Sequence, residues 1–420
     1  MKRFLLRMAG QTLRRDERGN VLAMTAIVLP VVLGAVGLAV DTTQWVLTKR
    51  QLQSVADSAA LSGSYTALQG GDIDYAVDQD VTRRRSEFAG LTTIATLSPS
   101  SRPGDPYAVE VVLAVPAPLT FAKLFMSKPM MISVAATATM IETDDFCAFA
   151  LDSEAAGGIT IAPNSMVEAD CGMATNSSAR DAITADASSS VSIKKLFAFG
   201  GITLPPVPGT RIRSGALRQD DPLSEILPPA VPNTGCPNLT VNGDGGGAAS
   251  LKPGCYGNLV LNGPVKLDAG SYVLNRGNIV FGPTADVTCK GCTFFMTSEQ
   301  ADTAPGSIGH ASIAPSAKVE LSAPTDGPYA GLLMHQDRRA APERKGEENM
   351  IAANSRSKID GILYFPAQSL KLDGTASPDF GCARIIGRKL ILQGRLVIAK
   401  GCSTDTGNIV LKGAEVRLIG

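Results

Sequence analysis

An uninterrupted apolar run, Val21–Val40, constrains this chain more than any other stretch. The run contains no charged residue, and Thr25 is its only polar side chain. A helix rises about 1.5 Å per residue, so about 20 apolar residues cross a hydrocarbon core of about 30 Å. Pro30 and the glycines Gly34 and Gly37 are compatible with this interpretation, because membrane helices tolerate both residue types. The run therefore predicts a transmembrane helix over residues 21–40.

Basic residues precede the apolar run, and only Asp16 and Glu17 oppose them. The basic side chains are Lys2, Arg3, Arg7, Arg14, Arg15 and Arg18. The positive-inside rule predicts that residues 1–20 form a cytoplasmic tail and that the chain beyond the span lies on the opposite side. A cleaved secretory signal is the alternative, with Ala35–Gly37 as the cleavage site. The apolar core of such a signal is shorter, about 7–15 residues, which favours an uncleaved anchor.

The predicted helix continues past the membrane with one apolar face. Apolar and small side chains recur there at helical spacing, whereas polar residues lie elsewhere. The residues of this face are Trp45, Leu52, Val55, Ala56, Ala59 and Gly63. Beyond Trp45 the face narrows to small side chains, which predicts close packing against it. We therefore predict a membrane and partner face made of Trp45, Leu52, Val55 and Ala59.

Two stretches of this N-terminal segment carry a family pattern: RRDERGNVLAMTAIVLPVVLGAVGLAVD and LQSVADSAALSGS. They resemble the N-terminal segment of TadG-like proteins of the tight-adherence (Flp) pilus system. The resemblance implies a single-pass inner-membrane protein of pilus assembly, with the bulk of the chain periplasmic or extracellular. It implies membrane lipid and other pilus-assembly (TadE/TadF-like) membrane proteins as partners, and it allows a homo-oligomer.

Residues 41–143 are predicted to form a pilin-like α+β periplasmic domain. Gly70 ends the long helix, and Asp72 is placed to cap a second helix. Two strand patterns follow, Tyr107–Val115 and Met131–Ile141, in which apolar residues alternate with other residues. A long N-terminal helix packed on a few antiparallel strands is the arrangement that we expect here.

Residues 144–420 differ in character, because short apolar runs recur there between Gly, Asn, Asp and Ser. Such runs are typical of a solenoid, in which short strands stack in parallel from coil to coil. A short internal repeat supports this interpretation, because Leu251–Tyr256 is similar to Leu267–Tyr272. A β-sandwich is the alternative, with fewer and longer strands.

The predicted fold class is therefore α+β followed by all-β. A single N-terminal transmembrane helix continues into the pilin-like domain, and a right-handed parallel β-helix (solenoid) follows. Two insertions interrupt the β-helix. The first, at 204–233, is rich in proline and is either an extended loop or a strap along the side of a coil. The second, at 336–349, is charged and is predicted to be a mobile surface loop.

All eight cysteines lie after the apolar run, which fits disulfides in an oxidising compartment such as a periplasm. Connectivity cannot be deduced from sequence alone, and we favour pairs that are local in sequence: Cys147–Cys171, Cys236–Cys255, Cys289–Cys292 and Cys382–Cys402. A redox or zinc pair is the alternative for the third of these. The surrounding sequence is strand-like, not the start of a helix, and a second pair of zinc ligands is not evident.

The composition offers little for catalysis or for nucleic-acid binding. The 39 basic and 39 acidic residues balance, whereas a nucleic-acid-binding domain carries a basic face. The only histidines, His310 and His335, provide little material for a metal centre or a catalytic triad, so we predict no metal and no cofactor. His335 lies beside Asp337, Arg338 and Arg339, a cluster that on a β-helix face could act on polysaccharide.

We therefore predict a structural and interaction component of Flp pilus assembly and surface attachment, and not an enzyme. The alternatives are an anchored cell-envelope polysaccharide-acting β-helix enzyme and a surface adhesin. The fold supports many functions and does not decide among them.

Overall fold

The computed structural model describes residues 18–232, 235–243, 248–343, 348–376, 378–398 and 411–419, without the side chains of 18–20, 143–145 and 412. The chain forms two compact units. We call residues 1–141 with 416–420 the N-terminal unit, and residues 142–415 the C-terminal unit. Of the described residues near the C-terminus, 416–419 group with the first unit.

Two helices begin the described part of the N-terminal unit. Helix α1, Arg18–Leu68, is 51 residues long and carries the apolar run into the following polar segment without a break. It ends just before Gly70, whose φ of +66° is a left-handed conformation that glycine adopts without strain. Helix α2, Ile73–Thr82, begins after Asp72, whose carboxylate accepts the N–H of Tyr75 at 3.0 Å. The predicted end of the first helix and the predicted cap of the second are confirmed.

Three strands lie wholly or partly in the N-terminal unit: β1 Thr92–Leu97, β2 Val109–Pro116 and β3 Met131–Ala150, whose residues from 142 onward belong to the C-terminal unit. Strand β2 lies between the other two and pairs antiparallel with both. Its residues alternate strictly between buried and half-buried positions, as the apolar alternation predicted. Strand β1 was not predicted. The N–H of Ile419 donates to the carbonyl of Thr137 in β3 at 2.9 Å, so the chain end joins this unit.

The C-terminal unit consists of short strands. The first group is β4 Ile159–Ile161, β5 Met166–Thr175, β6 Ile183–Ala185, β7 Ser190–Ala198, β8 Ile202–Thr203 and β9 Arg211–Ser214. The second group begins with β10 Leu239–Asn242, β11 Ala249–Leu251, β12 Gly254–Tyr256, β13 Leu259–Asn262, β14 Pro264–Leu267, β15 Gly270–Asn275, β16 Ile279–Phe281, β17 Asp286–Lys290 and β18 Cys292–Thr297. It continues with β19 Ala311–Ile313, β20 Lys318–Ser322, β21 Leu332–Gln336, β22 Asn349–Ile351, β23 Lys358–Asp360, β24 Ile362–Gly374, β25 Arg384–Ile398 and β26 Leu411–Leu418.

The strands of this unit form parallel sheets with a regular offset. From β10 to β21, each strand pairs in parallel with the third strand after it. Side chains of equivalent positions therefore lie above one another. Leu261 is in register with Phe281, and Phe281 with Ile313, and all three are fully buried. The interior is a column of such apolar side chains, which burial stabilises by about 1.5–3 kcal/mol each.

Strand β25 joins the two groups of strands. On one side it pairs in parallel with β24, and on the other with β3, β4 and β5. The first group extends outward from β25 through β5, β7 and β9. The second group starts with β10 and returns to β25. The chain therefore enters the stack in its middle, and residues 215–238 connect one end of the stack to the other.

Candidate functional site

The apolar run forms the first part of α1 and is left uncovered by the rest of the chain. Within the described residues, α1 is the one helix that is long and apolar enough to cross a membrane, and 6% of its most apolar window is buried. Side chains as large as Leu22 and Ile27 are 78% and 73% exposed. Apolar side chains in this number are unfavourable in water, and a lipid environment removes that cost.

The four residues predicted as a partner face turn inward. Leu52 and Ala59 are fully buried, Val55 is 2% exposed, and Trp45 is half-buried. Through this part of its length α1 packs against α2 and β2 of the same unit. The small side chains thus pack in the core of their own unit. A partner contact through these four residues stays a prediction. The outward side of the helix carries instead Thr43, Val46, Leu47, Arg50, Ser54 and Ser58.

A loop between β2 and β3 is fastened to α1 where the apolar run ends. We call residues 117–130 the apolar loop. Asp41, the first charged residue after the run, is fully buried. Its carboxylate accepts the backbone N–H of Phe121 at 2.9 Å and that of the next residue. Trp45 Nε1 donates to the carbonyl of Pro118 at 2.7 Å. The Asp41 carboxylate thus caps the single 3₁₀ turn of the loop. Each of the two backbone N–H groups makes a charge-assisted hydrogen bond with it.

Replacing Asp41 with alanine is expected to release the apolar loop. Hydrogen bonds to a charged group contribute about 1.5–3 kcal/mol each. We therefore expect trypsin to cut after Lys123 at least ~10-fold faster in Asp41→Ala than in the wild type, in detergent. Gln44→Ala is the control, because it removes one exposed contact to the same loop, from Thr120 Oγ1 at 3.2 Å. Equal cleavage rates in Asp41→Ala and wild type would contradict the anchoring role.

Residues 215–232 of the proline-rich insertion pack along the side of the strands, whereas residues 211–214 of the predicted insertion form strand β9 of the stack. Gln219 is buried, its N–H donates to Asn176 Oδ1 at 2.7 Å, and its carbonyl accepts from the Asn176 amide at 2.8 Å. Leu223 is 1% exposed in a cluster with Phe295 and Tyr364. We call the segment 215–232 the strap.

The strap covers the polar cluster that the sequence singled out around His335. Asp221 accepts from Tyr364 Oη at 2.7 Å and from Arg338 at 3.3 Å. His335 is 1% exposed, and its Nε2 lies 3.3 Å from the carbonyl of Ile226. A cavity of about 290 Å³ remains between the strap and this cluster.

Burial and pairing decide the charges of the cluster. Desolvation lowers the pKa of His335 to about 4, so the imidazole is neutral at pH 7. Its Nδ1 has no hydrogen-bond partner within the described residues. Burial opposes ionisation of Asp337, but hydrogen bonds from Arg339 and Thr297 outweigh it and hold the pKa of this carboxyl below its usual range. The hydrogen bonds of this cluster thus hold the strap and the end of strand β21. The predicted charged loop at 336–349 is held by contacts with the rest of the unit at least as far as residue 343.

This arrangement predicts a pH-dependent stability of the C-terminal unit. The folded-state pKa of His335 lies below its unfolded value of about 6.5. The contribution of neutral His335 to the free energy of unfolding is therefore complete above pH 6.5. This contribution is lost as the pH falls towards 4, by up to about 3 kcal/mol. We expect urea unfolding followed by circular dichroism to show this loss in the wild type and a smaller loss in His335→Gln, whose amide can still donate to Ile226. The same pH dependence in both proteins would contradict the assignment.

Three of the four predicted cysteine pairs lie at disulfide distance. Their Cα–Cα distances are 5.7 Å for Cys147–Cys171, 5.0 Å for Cys236–Cys255 and 6.0 Å for Cys289–Cys292. The first pair links the neighbouring strands β3 and β5, and the third closes the corner between β17 and β18. Cys402 lies outside the described residues, so its pairing with Cys382 stays a prediction.

The comparisons with known proteins place a family match on α1. Residues 19–69 match the family described as putative Flp pilus-assembly TadE/G-like. Helix α1 is thus similar in sequence to TadE/G-like segments. The resemblance inferred from the sequence is therefore confirmed over this segment, which begins one residue inside the helix and ends one residue after it. No curated protein and no solved structure matches the chain.

The residues that fix the surroundings of α1 were not predicted from the sequence. Asp41 was not among the predicted residues, although a carboxylate directly after an apolar span needs hydrogen-bond donors when it is buried. Phe121 and Phe125 likewise were not predicted to have a role. Their spacing around a single 3₁₀ turn, Ala122–Leu124, puts both rings near α1.

Proposed function

We propose that this protein is a membrane-anchored structural and interaction component of Flp pilus assembly, without an enzymatic role. The observation that carries the proposal is the coincidence of the TadE/G-like match with α1, whose apolar part is exposed and long enough to span a bilayer. Association with other pilus-assembly components follows from the family of this segment.

The proposed location is the inner membrane, crossed once, with residues 1–20 in the cytoplasm. The basic residues before the span support this orientation. The cysteine pairs at disulfide distance all lie after the span, which supports an oxidising, periplasmic environment for the bulk of the chain. The apolar run supports an uncleaved anchor over a removed signal.

We further propose that the C-terminal unit is a right-handed parallel β-helix. The regular parallel pairing of each strand with the third strand after it supports a coil of three strands. Connections between parallel strands of one sheet are almost always right-handed, which supports the handedness. The strap and the three cysteine pairs would stabilise such a stack against unwinding.

The outward side of α1 is the proposed contact with other TadE/TadF-like membrane proteins. Leu47, Ser54 and Ser58 recur at helical spacing and are exposed, whereas the opposite side is filled by the protein's own core. A second copy of this chain could use the same side, which would give a homo-oligomer. The predicted contact through Trp45, Leu52, Val55 and Ala59 stays a separate prediction.

Site-specific photo-crosslinking in pilus-producing cells tests this contact. A photo-reactive p-benzoylphenylalanine at Ser54 should yield an adduct with another pilus-assembly membrane protein or with a second copy. The same residue at Tyr75, which is exposed on α2, is the control and should yield none of these adducts. Absence of any adduct from positions 47, 54 and 58 would contradict the proposed contact.

The hydrogen bonds and ion pairs of the His335 cluster with its own unit support a role without catalysis. Its carboxylates are bound by arginine and hydroxyl groups of the same unit, and the strap lies over it. A polysaccharide-acting enzyme would need such groups to face its substrate. Incubation of the full-length protein in detergent with envelope polysaccharide should therefore release no product.

A further inference from the structure

The apolar loop exposes an unusual set of side chains for a segment outside the transmembrane run. Large apolar residues predominate at and beside its tip. Their exposed fractions are 42% for Phe121, 80% for Leu124, 68% for Phe125, 48% for Met130 and 56% for the adjoining Met131. A contiguous exposed apolar surface of this kind marks an interaction with an apolar partner.

The loop lies beside the apolar run and not beyond it. The Phe121 ring fills the space that a side chain at Gly37 would occupy, with ring atoms 2.7–2.9 Å from an ideal Cβ there. The Phe125 ring reaches within 3.9 Å of the equivalent point at Gly34. At about 1.5 Å per residue, these glycines lie roughly 4.5 and 9 Å inside the end of the run at Val40. The rings are therefore at the depth of the hydrocarbon edge.

The backbone of the loop is compatible with that depth. Unsatisfied N–H groups are costly in hydrocarbon, and those of Phe121, Ala122, Leu124 and Phe125 are paired. Leu124 N donates to Phe121 O at 3.0 Å, and Phe125 N to Ala122 O at 2.9 Å. The N–H groups of Phe121 and Ala122 donate to the Asp41 carboxylate. The two contacts with Asp41 hold the tip against α1.

Two exposed lysines flank the apolar side chains. Lys123 lies within the 3₁₀ turn and Lys128 three residues after Phe125. Lysine side chains at a membrane surface extend their ammonium groups to lipid phosphates while the methylene stems lie in apolar surroundings. A pattern of apolar tip and flanking lysines is that of interfacial segments, which bury about 5–10 Å into the boundary between headgroups and acyl chains.

We propose that the apolar loop inserts into the leaflet that faces away from the N-terminal tail, with phospholipid as its occupant. The inference rests on the proposed membrane span and goes beyond it. The protein then contacts the membrane at two points, the span and the loop, and this limits the tilt of α1 relative to the membrane.

Spin labelling of the full-length protein in phospholipid vesicles tests the insertion. Single cysteines replace Leu124, Leu33 and Tyr75 in turn, and unsubstituted protein carried through the labelling corrects for native cysteines. Leu33 reports the span, and Tyr75 is an exposed position on α2. Power saturation compares collisions with oxygen, which concentrates in hydrocarbon, and with a water-soluble nickel chelate. We expect the label at 124 to behave like the label at 33, accessible to oxygen and shielded from nickel, and opposite to the label at 75.

Each other outcome overturns the proposal in a distinct way. If the label at 124 collides with nickel while that at 33 does not, the span stands and the loop lies in water. If the label at 124 is shielded from both reagents, a protein surface covers the loop, such as a second copy of the chain. If the label at 33 collides with nickel, the proposed span itself fails, and the loop inference fails with it.

Discussion

Ala59→Glu is expected to unfold the N-terminal unit of the protein in detergent. Ala59 and its neighbour Ala60 are fully buried where α1 packs on the rest of its unit. A glutamate there adds volume to a filled core and places a carboxylate among apolar groups. An unpaired buried charge alone costs about 3–5 kcal/mol, a large fraction of the stability of a small domain. Urea unfolding followed by fluorescence measures this well, because Trp45, the only tryptophan of the chain, reports on this unit.

Ser58→Glu is the matched control for this substitution. Ser58 precedes Ala59 on the same helix and is exposed, so the free energy of unfolding of this variant should change by no more than about 0.5 kcal/mol. A folded Ala59→Glu protein with the midpoint of the wild type would contradict the burial of this face. It would also restore the face of Leu52, Val55 and Ala59 as a surface available to a partner.

Gly277→Ala is expected to destabilise the C-terminal unit by about 3 kcal/mol, the upper end for overpacking. A Cβ at this position would lie 2.2 Å from the carbonyl carbon of Gly257 on the neighbouring turn of chain. A Cβ at Gly309 would in turn lie 2.0 Å from the carbonyl oxygen of Gly277. Three glycines thus stack where the backbone passes closest to itself. Circular dichroism of the β-signal during urea unfolding measures the loss.

Gly254→Ala provides the comparison for Gly277→Ala in the same unit. Its Cβ would find its nearest neighbour, the Tyr256 hydroxyl, at 3.8 Å, which is ordinary contact. We expect a change of at most about 1 kcal/mol in either direction. Equal effects of the two substitutions would show that the close approach of the turns is not a determinant of stability.

The N-terminal unit was largely predictable because its patterns are local. Twenty residues without charge define a span, and the alternation in Val109–Pro116 defines a strand. The burial of Leu52, Val55 and Ala59 by the same chain was not predictable. A small-residue stripe indicates close packing but carries no information on whether the packed surface belongs to the same chain or to a partner.

The parallel pairing of the C-terminal unit was predictable, but its order was not. The recurrence of Asn238, Asn258 and Asn278 at a spacing of 20 is a signal that the sequence analysis overlooked. The amide oxygen of Asn258 accepts the N–H of Asn278 at 2.9 Å, and Asn238 does the same for Asn258 at 2.7 Å. The pairing of β25 with β4 joins residues 390 and 159, and no local pattern encodes a contact at that separation.

The candidate site was predictable only in part for a similar reason. His335, Asp337 and Arg338 were recognised as a cluster, yet their partner Asp221 lies more than 100 residues away. In the sequence alone, where the contact with the strap cannot be recognised, the cluster looks like an exposed group of catalytic side chains. In the structure Asp221 of the strap pairs with Arg338, and His335 and Asp337 are buried.

Counting pili by electron microscopy tests the proposed role most directly. The comparison needs cells that lack the gene, the same cells restored with the intact gene, and cells restored with the double variant Val32→Arg, Leu33→Arg, which places two charges in the span. A role as a membrane-anchored assembly component predicts no pili without the gene, normal pili with the intact gene, and no pili with the double variant. Normal pili in cells that lack the gene would contradict it.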